Sequence, residues 1–248
     1  IDIGQSFETT YEMFQGKDPR FLASIYVPGS SLLGSTMQFQ RGLILKDGSK
    51  YYAQSAPGPS YLLETYIDPE TQRKDTIFGK DGGTYTGDAS KTGFNIRKFV
   101  NENLKTEAQW DFGKTETSFP IFRLAEVYLN LAEAAVEMGK YQTEAFEAIK
   151  KIRDRAGVVT PFAVVDVEKV RHERQVELAF EGHRFWDMKR WRIAHLPVDQ
   201  GGLNGFRGAG LHPFFDLRIR KYVFEVANDL PKRQRVFTEK NYYTKFSG

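Results

Sequence analysis

A chain of 248 residues is long enough to bury a sizeable core in one large or two small domains. Its 40% hydrophobic and 27% charged residues are ordinary for a globular protein. A formal charge of +3 offers no electrostatic footprint for nucleic acid and no polybasic membrane anchor, and the absence of cysteine excludes disulfides, thiolate metal sites and a cysteine nucleophile. No apolar run approaches the roughly 18 residues of a membrane span.

The chain opens "IDIGQSFETTYEMF" with neither an initiator Met nor an apolar leader, and is expected to be a processed or truncated product. Residues 5–15 predict a short helix with Phe7, Tyr11 and Phe14 on one face. "GKDPRF" breaks it, and "FLASIYV" (21–27) alternates like a strand. Residues 28–118 carry turn signals ("KDGSK", "APGPS", "DPETQ", "KDGGTYTGD") and short strand candidates at 42–45 and 96–100. So long an irregular region inside a compact domain points to functional loops.

From Pro120 the pattern turns helical. Ile121, Leu124, Val127, Tyr128, Leu131, Ala134, Ala135 and Met138 follow the 3–4 spacing, with Pro120 suited to the first turn and Gly139 to the C-terminal cap. "YQTEAFEAIKKIRDRAG" repeats the pattern and stops at Gly157, which predicts an antiparallel helical hairpin with tetratricopeptide-like spacing. A third helix is predicted over about 166–180; Gly182 interrupts it and a short helix runs on to Trp191. The remainder, including "DQGGLNGFRGAG", reads as loops and an aromatic tail. A single domain over 1–248 is expected, divided into a loop-rich part (1–118), a helical scaffold (119–192) and a loop-rich tail (193–248).

The segment "VRHERQVELAFEGHRFWDMKRW" (170–191) has the residue types of an active site. "HERQV" begins like the zinc-protease H-E-x-x-H motif, but Val176 stands where the second histidine ligand belongs. His172, His183, His195 and His212 show no metal-ligand spacing and read as hydrogen-bonded structural residues. The spacing of Glu173, Glu177 and Glu181 predicts that they line one helix face, an arrangement open to a glycosidase pair, yet Arg171, Arg174, Arg184 and Arg190 nearby make ion pairing the expected outcome. The glycine-rich pieces lack a following Lys-Ser/Thr, and no G-x-S-x-G elbow occurs. No catalytic residue, metal or cofactor is expected.

Three ordered blocks, "FPIFRLAEVYLNLAEAAVEMG", "AIKKIRDRAGV" and "VRHERQVELAFEGHRFWDMKRW", resemble the SusD/RagB family of Bacteroidetes outer-membrane nutrient-binding lipoproteins. "DPRF" and "FNIRKF" are weaker landmarks. The resemblance implies a mainly α fold with long irregular loops, a few short β-strands and a tetratricopeptide-like hairpin. It further implies a surface-exposed protein on the extracellular face of the outer membrane that binds an oligosaccharide or polysaccharide and delivers it to a SusC-like TonB-dependent transporter. Membrane attachment would be through a lipid anchor absent from this chain, which is expected to begin partway through such a protein. Peptide or other nutrient binding, or a protein-docking role, stands as the alternative; a glycoside hydrolase is disfavoured. On this resemblance Glu173, Arg174, Glu177, Glu181, Gly182, Arg184, Asp187 and Trp191 are scaffold. The acidic and basic members satisfy one another, with Phe180, Phe185, Trp186 and Trp191 filling the core around them.

Sugar binding needs exposed flat rings beside amides, carboxylates or arginines. Trp110, in the polar "TEAQWDFGKT", heads the candidates, followed by Tyr51, Tyr52, Tyr61 and Tyr85 in the irregular half. Asn95, Gln54, Asp81 and Arg73 are the candidate polar contacts.

Overall fold

The computed structural model describes residues 3–52, 65–81, 90–104, 117–227 and 234–243. Packing divides the chain into two compact units whose segments interleave. Unit 1 comprises Ile1–Lys17, Ile25–Thr115 and Gly208–Lys232; unit 2 comprises Asp18–Ser24, Glu116–Arg207 and Arg233–Gly248. The architecture is mainly α with long irregular stretches and short strands, as expected.

In chain order, a strand β1 (Ser6–Phe7) precedes helix α1 (Pro19–Ser24). Short strands follow: β2 (Ile25–Tyr26), β3 (Ser31–Leu32), β4 (Ser35–Thr36), β5 (Gly42–Ile44), β6 (Lys50–Tyr51), β7 (Thr65–Ile67), β8 (Lys74–Thr76) and β9 (Asn95–Ile96). The helices α2 (Leu124–Glu137), α3 (Gln142–Arg155), α4 (Val167–Glu177) and α5 (His183–Arg190) come next. Strands β10 (Gly210–Asp216) and β11 (Lys221–Ala227) close the order.

Unit 1 is organised by a five-stranded sheet in the order β1-β11-β10-β5-β6, antiparallel except for the parallel β10–β5 pair. Its two longest strands lie in the tail expected to be loop. Two features hide them. Pro213 stands inside β10, where proline ordinarily argues against a paired strand. The turn between them, Leu217–Arg220, carries no glycine or asparagine; Arg220 itself takes the left-handed conformation (φ 58°), held by its N–H to the Asp216 carbonyl at 2.7 Å. Leu43, Ile77, Phe78 and Leu217 form a buried cluster beside the sheet. Phe14 packs edge-on to Phe94 and Phe224 at 5.8 and 5.6 Å between ring centroids.

The N-terminal expectations change. Residues 5–15 form no α-helix: Ser6 and Phe7 pair with Val223 and Tyr222, and only Glu12–Phe14 makes a 3₁₀ turn. Sheet pairing overrides the local periodicity there. Residues 21–24, read as a strand, belong to α1. Pro19 occupies its first position and the Asp18 carboxylate accepts the Arg20 N–H at 2.9 Å, a helix-start signature. The candidate at 42–45 is a strand at 42–44, whereas 96–100 contributes only Ile96 to β9.

Unit 2 packs α2, α3 and α4 around Leu129, Ala132, Ala148, Ile149, Ile152 and Val170, all essentially without solvent contact. Each large aliphatic side chain so buried is worth about 1.5–3 kcal/mol. The hairpin and its glycine stops form as predicted, with Gly139 and Gly157 at φ 63° and 69° just past the helix ends. Asp166 caps α4 through its side chain to Lys169 N. Helix α2 starts at Leu124, capped by Arg123, so Pro120 lies outside its first turn. Its buried face is Leu129, Ala132 and Ala135; Leu124, Val127, Leu131, Ala134 and Met138, predicted to face the core, are exposed. Both faces of α2 are apolar, and periodicity alone does not choose between them.

Candidate ligand-binding site

The three glutamates of α4 and its extension form a buried ion-pair lattice in unit 2. Glu173 accepts Arg20 Nη1 and Arg153 Nη1, at 2.5 and 2.7 Å. Glu177 accepts Arg123 at 2.6 Å, Arg155 at 2.7 Å and Arg20 at 3.1 Å. Glu181 takes the fork of Arg123, whose Nε and Nη2 each lie 2.8 Å from a carboxylate oxygen. The i, i+4 spacing puts Glu173 and Glu177 on one face of α4, as predicted, but α4 ends at Glu177 rather than near 180. Glu181 lies beyond it, after Phe180 at φ 66°, and joins the lattice through the turn instead of through helical spacing. The partners of the three carboxylates, however, come from α1, from the residue before α2 and from α3, and not from Arg171, Arg174, Arg184 or Arg190.

A second group links Arg174 to Asp187 (2.7 Å) and Asn130 (2.7 Å), and Arg190 to Asp187 (2.9 Å) and Glu133. Trp191 donates its indole N–H to Glu133 at 2.6 Å. Burial pushes the Glu133 carboxyl up, but the bonds from Arg190 and Trp191 outweigh it and hold the pKa below the usual value. Arg184 departs from the expected network: among the described residues no hydrogen bond or ion pair engages its guanidinium, which lies over the Trp191 ring. Gly182 adopts φ 80° at the start of α5, a position where a side chain would be strained. Phe180, Phe185 and Trp186 do not fill the core. They are 42%, 41% and 64% exposed.

Two of the histidines make hydrogen bonds within their own unit. His195 Nδ1 meets the Tyr242 hydroxyl at 2.8 Å and His212 Nε2 the Lys91 carbonyl at 2.9 Å. Among the described residues no cluster of His, Asp and Glu is arranged to hold a metal.

Of the predicted ligand residues, Trp110, Tyr61, Tyr85 and Gln54 lie outside the described residues. Tyr51 packs against Tyr66 (5.4 Å) beside the buried Leu43 cluster, where its ring supports the sheet. Tyr52 is 39% exposed, edge-on to Phe214 at 6.0 Å. Asn95 is paired with Tyr26 in the β2–β9 ladder. Arg73 lies 3.7 Å from Asp75. Asp81 is placed differently: its carboxylate accepts the Gln38 N–H at 2.8 Å and its own N–H reaches the Gln38 carbonyl at 3.0 Å.

That brace shapes a cleft of about 230 Å³ in unit 1, lined by Thr10, Thr36, Met37, Gln38, Phe39, Gln40, Thr76, Gly79 and Tyr222. Among the described residues none charged at neutral pH lines it. The Gln40 amide donates to the Thr76 and Ile77 carbonyls at 2.7 and 3.1 Å, which fixes its orientation and leaves its oxygen as an acceptor. Among the described residues no hydrogen bond engages the side chains of Thr10, Thr36, Gln38, Thr76 or the Tyr222 hydroxyl. Burial pushes the Tyr222 phenol upward, so it remains a neutral donor and acceptor. Hydroxyls and amides of this kind, beside a Tyr ring, match a neutral polyhydroxylated ligand. The volume lies below the roughly 300–1,000 Å³ of drug-sized pockets and suits one ring rather than a chain. The sequence held a signal for it: in "STMQFQ" the polar residues Thr36, Gln38 and Gln40 alternate with Met37 and Phe39, so an extended backbone brings their side chains to one side.

The SusD family model matches residues 2–246, and the chain belongs to that family. SusD-like protein P2 of Formosa agariphila is 31% identical over 101 residues, covering 36% of this chain and 20% of that protein. SusD-like protein P25 of the same organism is 39% identical over 80 residues, covering 29% and 15%. A SusD-like carbohydrate binding protein of Bacteroides fragilis, known from a crystal structure, aligns at 29% identity and a TM-score of 0.50. That alignment covers 75% of this chain and 31% of that one. The chain thus matches less than a third of the length of each of these relatives.

Proposed function

We propose that this chain is part of a glycan-binding protein of a nutrient-uptake system, and that it binds and passes on its ligand without chemical turnover. The observation that carries the reading is the uncharged, amide- and hydroxyl-lined cleft of unit 1 in a chain of the SusD family. The relative from Bacteroides fragilis, described as a carbohydrate binding protein, supports the ligand class. Glu173 and Glu177, the carboxylates most like a glycosidase pair, each accept two or more arginine bonds, which disfavours a proton-donating role. A place on the extracellular face of the outer membrane, held by a lipid anchor, and delivery to a SusC-like TonB-dependent transporter complete the proposal on family grounds. Trp110, Tyr61 and Tyr85 remain proposed ligand contacts beside the cleft residues.

Native affinity electrophoresis against a panel of neutral polysaccharides tests the reading, with a melting curve alongside. The expected outcome is retardation by at least one glycan, weakened by Tyr222→Ala or Trp110→Ala at unchanged melting temperature. A folded chain retarded by none, or one that instead binds peptides, overturns it. Released reducing ends that vanish in Glu177→Gln would make it a hydrolase.

A further inference from the structure

Unit 2 holds two arginines that the ion-pair lattice leaves out. The guanidinium carbons of Arg171, Arg190 and Arg184 lie 4.7, 4.8 and 5.8 Å from the centroid of the Trp191 ring, three cations on one indole. Arg190 is fully engaged by Glu133 and Asp187. The Arg171 side chain has no hydrogen bond among the described residues; the carboxylate of Glu137 stands 4.0 Å away, and the Arg171 Nε–H is buried without a partner. A buried, unsatisfied N–H of a charged group is rare and costly in a finished structure. Arg184, half-buried, likewise has no hydrogen bond, and it borders a pocket of about 240 Å³ with Gln175, His183 and Phe185. Burial disfavours its charge. Asp187 opposes that effect, and Arg171 adds to it. Glu168 acts on Arg184 only through its field. Guanidinium stays protonated in such a place, so what the group lacks is an acceptor.

We propose that Arg171 and Arg184, held against Trp191, form a subsite for an oxyanion, the carboxylate or sulfate substituent of an acidic polysaccharide. The assignment rests on the glycan-binding reading and adds the charge class of the ligand. An oxyanion supplies acceptors to the Arg184 fork and to the terminal nitrogens of Arg171, and relieves the repulsion between cations sharing one ring. The indole keeps the forks flat and presented, as stacking on an aromatic face does for arginine. The uncharged cleft of unit 1 and this cationic site therefore differ in what they recognise, a neutral ring and a charged substituent.

The test uses the 248-residue chain with sodium sulfate and sodium glucuronate as small probes, read by tryptophan fluorescence and melting temperature against sodium chloride at matched ionic strength. Sulfate stabilises proteins generally, so the reading is the difference between the wild type and Arg184→Gln. Wild type is expected to respond saturably to one probe, and Arg184→Gln to bind it roughly tenfold or more weakly. Whichever probe acts separates the carboxylate from the sulfate source. In gels, polygalacturonate or sulfated dextran should retard the wild type more than plain dextran, and Arg184→Gln should lose that excess while keeping any affinity for neutral glycans. Should Arg184→Gln melt several degrees lower, Arg171→Lys replaces it; the ammonium keeps the charge without the fork, and most of the response should go. Equal responses in wild type and variants overturn the oxyanion site while leaving a neutral-glycan receptor standing. No retardation by any polymer overturns both.

Discussion

Two regions of this molecule use polar side chains in opposite ways. In unit 2, Glu173, Glu177 and Glu181 sit almost wholly out of solvent with every carboxylate engaged by arginines from three other segments. In unit 1, Gln38, Thr36, Thr76 and Tyr222 line a cleft with their side chains uncommitted, braced from behind by Asp81 and by the bonds of the Gln40 amide. Residue type points the other way, since paired carboxylates beside histidines look catalytic and a run of Thr and Gln looks inert. Satisfaction of hydrogen-bonding capacity is the better guide: a group already bonded on every side holds the fold together, and a positioned group with capacity to spare is available to a ligand.

The largest effect expected from breaking this contrast is in the lattice. Glu177→Ala removes an acceptor from Arg20, Arg123 and Arg155 at once; Arg155 is 61% exposed and turns to water, but Arg20 and Arg123 are not, and removing one partner of a buried pair costs about 3–5 kcal/mol. Denaturant unfolding should show the loss, and a midpoint unchanged from wild type would mean the three arginines are solvated and the lattice is not structural. Binding by any molecules that remain folded should be unaffected.

A smaller effect, aimed at the cleft, comes from Gly79→Ala. A Cβ built at Gly79 would meet the Gln38 carbonyl oxygen at 2.1 Å and the Gln40 N at 2.8 Å, so the backbone carrying both amides must shift. Overpacking of this kind costs about 1–3 kcal/mol. The informative readout is the pairing of effects: because Gly79 lines the cleft and its Cβ displaces the Gln38–Gln40 backbone, glycan affinity should fall more than the melting temperature predicts. Affinity that follows stability alone would place the ligand elsewhere.

The extent to which this contrast was readable beforehand differs between the units for physical reasons. Helices α2 and α3 announced themselves through 3.6-residue periodicity and the glycines at 139 and 157, and Gly182 marks the break before α5, all of which are local signals. The lattice was half legible. The face shared by Glu173 and Glu177 follows from spacing, but Glu181 enters through the turn after α4, and Arg20 lies 153 residues from Glu173 with no local pattern to join them. The β10–β11 hairpin was hidden by Pro213 and by a turn without glycine, and its sheet is completed by β1 and β5 from the far end of the sequence. The family resemblance implies a core place for Trp186, yet its ring is 64% exposed on α5, and which side of so short a helix is buried is set by tertiary packing. The cleft needed Thr10, Thr76 and Tyr222 brought to the Thr36–Gln40 segment, a purely tertiary event.

Acid titration sharpens the comparison more gently. In unit 1 the backbone N–H of Thr71 does most to lower the Asp68 pKa; burial opposes it, and Lys46 and the Glu70 N–H assist, leaving a value of about 2. A carboxyl depressed below its unfolded value of about 3.9 contributes stability above that pH and loses it as the pH falls through the folded value. Thermal midpoints should therefore decline between about pH 4 and pH 2, and Asp68→Asn should flatten part of that decline. In unit 2 the Arg20 bonds hold Asp18 below its usual range in the same sense, so Asp18→Asn should flatten another part. A decline untouched by either substitution would assign the acid sensitivity to carboxylates elsewhere in the chain.

The smallest effect is the control that gives the first prediction its meaning. Lys150 and Asp154 form an ion pair one turn apart on the outer face of α3, as close as any in the lattice, but both side chains are about half exposed. Water already solvates each ion there, holding two long side chains together costs rotamer entropy, and salt screens what attraction remains. Asp154→Ala should leave the unfolding midpoint within error of wild type. The two substitutions, read together, separate proximity from burial: if Asp154→Ala proved as damaging as Glu177→Ala, distance between charges alone would set the strength of these pairs. If only Glu177→Ala is damaging, exclusion of water and the number of arginines left without an acceptor are what make the α4 glutamates scaffold.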